Sequence, residues 1–335
     1  MQTDYSAGAA PLADQESFSH LVRDDLREVE DLILHQADGY DPSLKAALDL
    51  LISAGGKRLR PTLCLLVGHL LGSSHAPLIH ISAAVELLHT ATLVHDDLID
   101  GSTTRRGAPT LNSRWDPAPT VLAGDFLFAS AAKLSTDSGS LPAVALFTQT
   151  LRVIVHGEIS QFFGRSERID LEDYFRRIYA KTASLFEAAA CLAALLMPIE
   201  ENAYNSVRKY GQDLGTAFQI MDDLLDIVGD PAKMGKPAGS DLRAGVITLP
   251  VILYVQRNPE DPLVRSLVTN GHRDLQSQDV AALVGQIGQS EAIQLSYQRA
   301  VELAGSAKRS LDAFPPSEER EALAGLADYV VKRDL

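Results

Sequence analysis

Two short stretches repeat one chemistry. HDDLID at 95–100 and MDDLLD at 221–226 each set aspartates one helical turn apart, Asp96 with Asp100 and Asp222 with Asp226, with Asp97 and Asp223 between them. Positions i and i+4 of a helix share a face, so each stretch presents two carboxylates side by side. Like charges so placed repel unless a cation joins them. Mg²⁺ is satisfied by one or two carboxylates when water and phosphate oxygens complete its octahedron. Both stretches follow apolar sequence, AAVELLHTATLV and LGTAFQIM, where an unneutralised acidic cluster is costly. Either alone reads equally as a solvated acidic helix end; the two together point to a multinuclear metal site that clamps a diphosphate.

The basic counterpart lies in three loops. GGKRLRP supplies Lys57, Arg58 and Arg60 after a glycine pair suited to a tight turn, TTRRG supplies Arg105 and Arg106, and KMGKP supplies Lys233 and Lys236. Arginine forks bind phosphate oxygens bidentately and lysine adds a point charge. Any one of these is an ordinary surface charge; with the aspartates they indicate phosphate.

The elements that must position these groups are helices. Apolar residues recur at helical spacing, as in FSHLVRDDLREVEDLILHQ and LEDYFRRIYAKTASLFEAAACLAALL, and no alternating strand pattern competes. Breaks fall at Gly- and Pro-rich segments, 53–61, 72–77, 100–110, 137–142 and 229–245. None is a long linker and no fixed repeat period is visible, so the expectation is a flexible tail over 1–16 and one all-helical domain over 17–335. A net charge of −14 leaves no excess of cations for a general nucleic-acid binder. The apolar run AAACLAALLMPI is too short to span a bilayer. Cys64 and Cys191 lie in apolar contexts without metal-ligand spacing, as buried thiols do in a reducing cytoplasm.

With both aspartate motifs, GGKRLRP, TTRRG, YAKTASLF and GKPAGSDL in this order, the chain resembles the trans-isoprenyl diphosphate synthases, the polyprenyl synthetase family, from about Leu32 to Arg333. The resemblance implies an all-α fold, a single bundle of antiparallel helices around a deep central cavity, and a homodimer. It implies three Mg²⁺ ions, two held by Asp96 and Asp100 and the third by Asp222, with Asp97, Asp223 and Asp226 supporting. Arg105, Lys181 and Lys236 match contacts to the allylic diphosphate. Lys57, Arg60, His89 and Arg106 match the isopentenyl diphosphate pocket, although His89, one turn after Val85 on an apolar helix, also reads as a core histidine. Thr182 and Gln219, with the Lys181 carbonyl, match residues whose dipoles stabilise the allylic cation. His95, Gly124, Asp125, Glu158 and Gln161 match supporting positions.

In the family the side chains preceding the first motif set product length. Here they are Thr92 and Ala91, then Leu88 and Ala84, with no aromatic floor, and each turn of about 5.4 Å admits roughly one further isoprene unit. The expectation is a hexa- to decaprenyl product of the kind used for quinone side chains, with a geranylgeranyl product as the alternative. A non-catalytic subunit of a heteromeric synthase would be expected to lose an aspartate motif. A terpene cyclase would not need GGKRLRP or the second arginine of TTRRG. One position departs from the pattern: DLRAGV places Val246 where many relatives carry lysine, so one phosphate contact is lost or passes to Arg243.

Overall fold

Local capping sets out the first helices. Asp41 accepts the Ser43 amide at 2.8 Å ahead of Pro42, and the next helix is closed by Gly72 at φ +74°. The computed structural model describes residues 16–105, 107–163, 169–230, 237–270 and 276–332. In chain order the α-helices are α1 (Glu16–Ser19), α2 (Arg23–Leu34), α3 (Pro42–Ser53), α4 (Leu59–Leu71) and α5 (His75–Ile99). There follow α6 (Pro117–Asp137), α7 (Leu141–Phe163), α8 (Leu171–Ile178), α9 (Ser184–Ala194) and α10 (Glu201–Val228). The last six are α11 (Ser240–Arg243), α12 (Leu249–Arg257), α13 (Pro262–Asn270), α14 (Ser277–Gly288), α15 (Glu291–Ser310) and α16 (Glu318–Lys332).

All five Gly- and Pro-rich breaks coincide with helix ends. Three details depart from the sequence pattern. Thr104–Arg105 and Ala108–Pro109 pair as short antiparallel strands, with Thr104 opposite Pro109 and Arg105 opposite Ala108, and Gly107 stands at φ +78°. Between α8 and α9 the chain does not run on as one α-helix; Tyr179–Ala183 widen into a π-turn, a feature frequent at functional sites. The helix at Glu16 begins one residue inside the expected tail.

The core is one continuous apolar cluster from Phe18 to Val331. Its axis is α5, in which Ala84, Leu88 and Ala91 have no exposure. Among the described residues α5 is the one helix long and apolar enough to cross a membrane, exceeding the run at Ala188, but 72% of its apolar window is buried by neighbouring helices. It is therefore packed as a core helix. Helix α10 lies against α9 and the π-turn through Gly211 and Gly215: a Cβ at Gly215 would stand 2.7 Å from Ala183 Cα, and one at Gly211 2.7 Å from the Phe186 carbonyl oxygen. Only glycine permits this approach, and the next two residues at four-residue spacing are Gln219 and Asp223.

Candidate active site

The first aspartate motif ends α5. Asp96 is half-buried, and burial, reinforced by Glu158 and Asp100, pushes its carboxyl up to about 6 against the pull of Lys181 and Arg105. Asp97 points elsewhere. It is buried and receives the Arg105 guanidinium, Nε at 3.0 and 3.1 Å and Nη2 at 2.8 Å, while its backbone carbonyl accepts the Ser102 amide at 2.9 Å. The middle aspartate thus anchors the strand carrying Arg105. Asp100 caps the helix and is exposed. His95 is turned into α6, its Nε2 3.2 Å from the Val121 carbonyl oxygen and its ring against Phe128; a Cβ at Gly124 would meet that ring at 2.1 Å and force it to move.

The second motif lies near the end of α10. Asp222 is half-buried. Asp223 is buried and accepts the Tyr174 hydroxyl at 2.6 Å and the Gln219 amide at 2.8 Å; burial dominates and its carboxyl is pushed up to about 7. Asp226 accepts the Ser240 hydroxyl at 2.5 Å and the Asp241 amide at 3.1 Å, and its backbone carbonyl accepts the Gly239 amide at 2.7 Å. It therefore secures the start of α11.

The π-turn joins the two motifs. Lys181 pairs with Glu158 of α7 at 3.3 Å, and the charges of Asp96 and Asp100 help to raise its pKa against the opposing effect of burial. The next residue, Thr182, donates its hydroxyl to Gln219 Oε1 at 2.6 Å, one turn from Asp222.

The basic loop divides in two. Arg58, at φ +47°, turns inward: Nε meets Glu30 at 2.7 Å, Nη1 meets the buried Glu86 at 2.9 Å, and Nη2 donates to the Ile52 carbonyl at 2.9 Å. Lys57 and Arg60 instead lie over aromatic faces, 5.4 Å from the Tyr329 centroid and 4.6 Å from that of Phe186. His89 is half-buried and lines a cleft of about 50 Å³ with Gly55, Arg58, Glu86, Asp97 and Arg105, which brings it to the Arg105 side of the site. Arg106, Lys233 and Lys236 lie outside the described residues. Arg243 reaches toward the Ser277 carbonyl at 3.5 Å on α14, while Arg177 donates to the Ile247 carbonyl at 2.7 Å, holding the chain beside Val246.

Among the described residues no three Asp, Glu, His or Cys side chains converge as a ready-made metal cage. The donors are carboxylates, the hard oxygen ligands Mg²⁺ prefers. The groups present fit such ions.

Residues 41–287 match the family model described as polyprenyl synthetase. The chain is 35% identical over 322 residues to an octaprenyl diphosphate synthase of Escherichia coli K12, covering 95% of this chain and 99% of that one. It is 36% identical over 316 residues to a heptaprenyl diphosphate synthase component 2 of Geobacillus stearothermophilus, covering 93% and 97%. A crystal structure of a polyprenyl synthase from Caulobacter crescentus CB15, complexed with calcium and isoprenyl diphosphate, superposes with a TM-score of 0.89 at 35% identity, over 97% of this chain and 100% of that one.

Proposed function

The chain belongs to the polyprenyl synthetase family, and we propose that it extends an allylic diphosphate with isopentenyl diphosphate to an all-trans product in the hexa- to decaprenyl range, using Mg²⁺. It is a prenyltransferase of the all-helical isoprenoid synthase fold. The observation that supports the assignment of residues is the π-turn: Lys181 pairs with Glu158, with its charge acting on Asp96 and Asp100, and Thr182 bonds Gln219, which in turn bonds Asp223.

Asp96 and Asp100 on one side and Asp222 on the other would hold three ions. When bound, Mg²⁺ withdraws charge from the departing diphosphate. Arg105 and Lys181, with Lys236, bind the allylic diphosphate. Lys57, Arg60 and His89, with Arg106, bind isopentenyl diphosphate. As the allylic C–O bond breaks, the Thr182 and Gln219 dipoles and the Lys181 carbonyl face the carbon that becomes positive. The isopentenyl double bond supplies the electron pair for the new C–C bond, and the proton lost from that unit passes to the released diphosphate.

Chain length follows from α5. Leu88 and Ala91 are fully buried and Thr92 half-buried, and the face carries no aromatic side chain to stop the product. Residues 17–335 act as one catalytic domain. The proposed homodimer would have apolar surface to cover on α6 and α7, where Leu122, Leu141, Val155, Ile159 and Phe162 are exposed. Cys64 and Cys191 are buried free thiols, in keeping with the cytoplasm.

Incubation of the purified chain with Mg²⁺, labelled isopentenyl diphosphate and farnesyl diphosphate should give labelled long-chain polyprenyl diphosphate. A two-component enzyme is the second reading, favoured by the relative named as a component. Incorporation by this chain alone excludes it, and no incorporation without a partner sinks the first.

A further inference from the structure

We infer that Tyr174 is a positioning residue for the allylic cation: its hydroxyl fixes the direction of a hydrogen-bond chain through Asp223 and Gln219, so that Thr182 turns lone pairs rather than a proton toward the reacting carbon. The inference rests on the placement of Thr182 and Gln219 beside that carbon.

Tyr174 is 1% exposed, and a phenol so buried must donate its proton to a protein acceptor. It donates to Asp223 Oδ2 at 2.6 Å, and Oδ1 of the same carboxylate accepts the Gln219 amide at 2.8 Å. The Tyr174 hydrogen bond favours the ionised form of Asp223, which only accepts, so in that form the amide NH₂ faces Asp223 and the amide oxygen faces the other way. That oxygen takes the Thr182 hydroxyl proton at 2.6 Å. Threonine has one such proton, so what remains on its oxygen is lone-pair density. The bonds Thr182→Gln219→Asp223 run in one direction, and Tyr174 donates into the same carboxylate from its other side, so the donors converge on Asp223 and polarise one another.

The frame around the chain is stiff. Gly215 brings α10 against the π-turn, with Gln219 one turn and Asp223 two turns further along the same face. The Tyr174 ring is held edge-on by Phe175, centroids 5.2 Å apart, and lies under the Arg177 guanidinium at 6.0 Å. With Phe at 174 the packing survives, but one donor that holds the carboxylate in this orientation is gone.

The test uses full-length enzyme with Tyr174→Phe, Asp223→Asn, the two combined, and Thr182→Val. Asparagine at 223 offers an NH₂ to Gln219, which lets the amide turn over and the Thr182 proton face outward. Tyr174→Phe is expected to lower kcat about 10-fold or more, with KM for both diphosphates and the Mg²⁺ requirement unchanged. Asp223→Asn should be at least as slow, and the combined variant no slower than Asp223→Asn. Wild-type kcat in folded Tyr174→Phe, or losses that multiply in the combined variant, overturn the role of Tyr174. If Tyr174→Phe does not fold, wild-type kcat in Asp223→Asn overturns it equally. Full activity of Thr182→Val would instead reject the placement of Thr182 itself, a separate failure.

Discussion

Lys181 and Thr182 are consecutive in one π-turn yet serve opposite sides of the site, Lys181 pairing with Glu158 near Asp96 and Thr182 bonding to Gln219 below Asp222. In an α-helix successive side chains diverge by about 100°. The wider turn alters that spacing locally, and the approach of α10 through Gly215 lets both neighbours be used. A shift of α10 therefore disturbs the second motif relative to the first.

Gly215→Ala tests this directly. Its Cβ would stand 2.7 Å from Ala183 Cα and 2.8 Å from Phe186 Cβ, so overpacking should cost about 1–3 kcal/mol and reduce kcat as well. Gly285→Ala meets nothing within 4 Å and sits in α14; it should be stabilising by roughly 0.5–1 kcal/mol with unchanged turnover. Urea melts and steady-state rates on both variants make the comparison. Equal behaviour would show that the close approach is not needed.

Arg58 and Lys57 should separate stability from binding. Arg58→Ala leaves the buried Glu86 carboxylate without its guanidinium, a loss of about 3–5 kcal/mol in chemical denaturation. Lys57→Ala removes a cation from the Tyr329 face and should cost less than about 1 kcal/mol, while raising KM for isopentenyl diphosphate. If Lys57→Ala leaves that KM untouched, Lys57 does not belong to the pocket.

The Asp97–Arg105 pair predicts a different kinetic signature. Asp97→Ala frees the Arg105 fork from its anchor without removing Asp96 or Asp100, so kcat/KM for the allylic primer should fall about 10- to 100-fold, with the number of bound ions unchanged by calorimetry. A fall in ion stoichiometry would make Asp97 a ligand rather than an anchor.

Acidity supplies a fourth expectation. Asp96 lies at about 6 and Asp223 at about 7, both raised chiefly by burial, against about 3.9 for an unfolded aspartate. For a raised carboxyl the folding contribution is complete below the unfolded value and is lost as pH rises through the folded one. Without divalent cations, Tm should therefore decline as pH rises from about 4 to about 7 and level off above that, and Mg²⁺ should offset the decline by favouring ionised Asp96. Protons and Mg²⁺ compete for that carboxylate, so apparent Mg²⁺ affinity should weaken about tenfold per unit below pH 6. Affinity flat across that range would remove Asp96 from the ligands.

The helical class, the five breaks and the recurrence of the aspartate motif were legible because each is written in local spacing or composition. The division of labour inside the motifs was not. Asp97, Asp223 and Asp226 share residue type and neighbourhood with Asp96 and Asp222, and only tertiary partners make one an anchor for Arg105, one the acceptor of Tyr174 and one a tie to Ser240. Tyr174 is 49 residues from Asp223, beyond any periodic signal. The π-turn also escaped, since YAKTA has an ordinary helical pattern. One signal was available and unused: Gly211, Gly215, Gln219 and Asp223 recur every four residues, marking the α10 face that meets another backbone.

The proposed setting of product length by the face of α5 preceding Asp96 can be tested at Ala91. Ala91, Leu88 and Ala84 are all without exposure, so a side chain enlarged at Ala91 must project into whatever space the growing chain uses or displace its neighbours. Ala91→Phe adds an aromatic ring just over one turn above Asp96, and each turn lost corresponds to about 5.4 Å, roughly one isoprene unit. If that space is the product tunnel, the main product should shorten by several units while total isopentenyl incorporation per primer falls in proportion. Overpacking would also cost about 1–3 kcal/mol, so Tm is measured alongside product chromatography. A destabilised enzyme that still makes wild-type chain lengths would place Ala91 in the core rather than on the tunnel wall, leaving Thr92, half-buried on the same helix, as the side chain that meets the product.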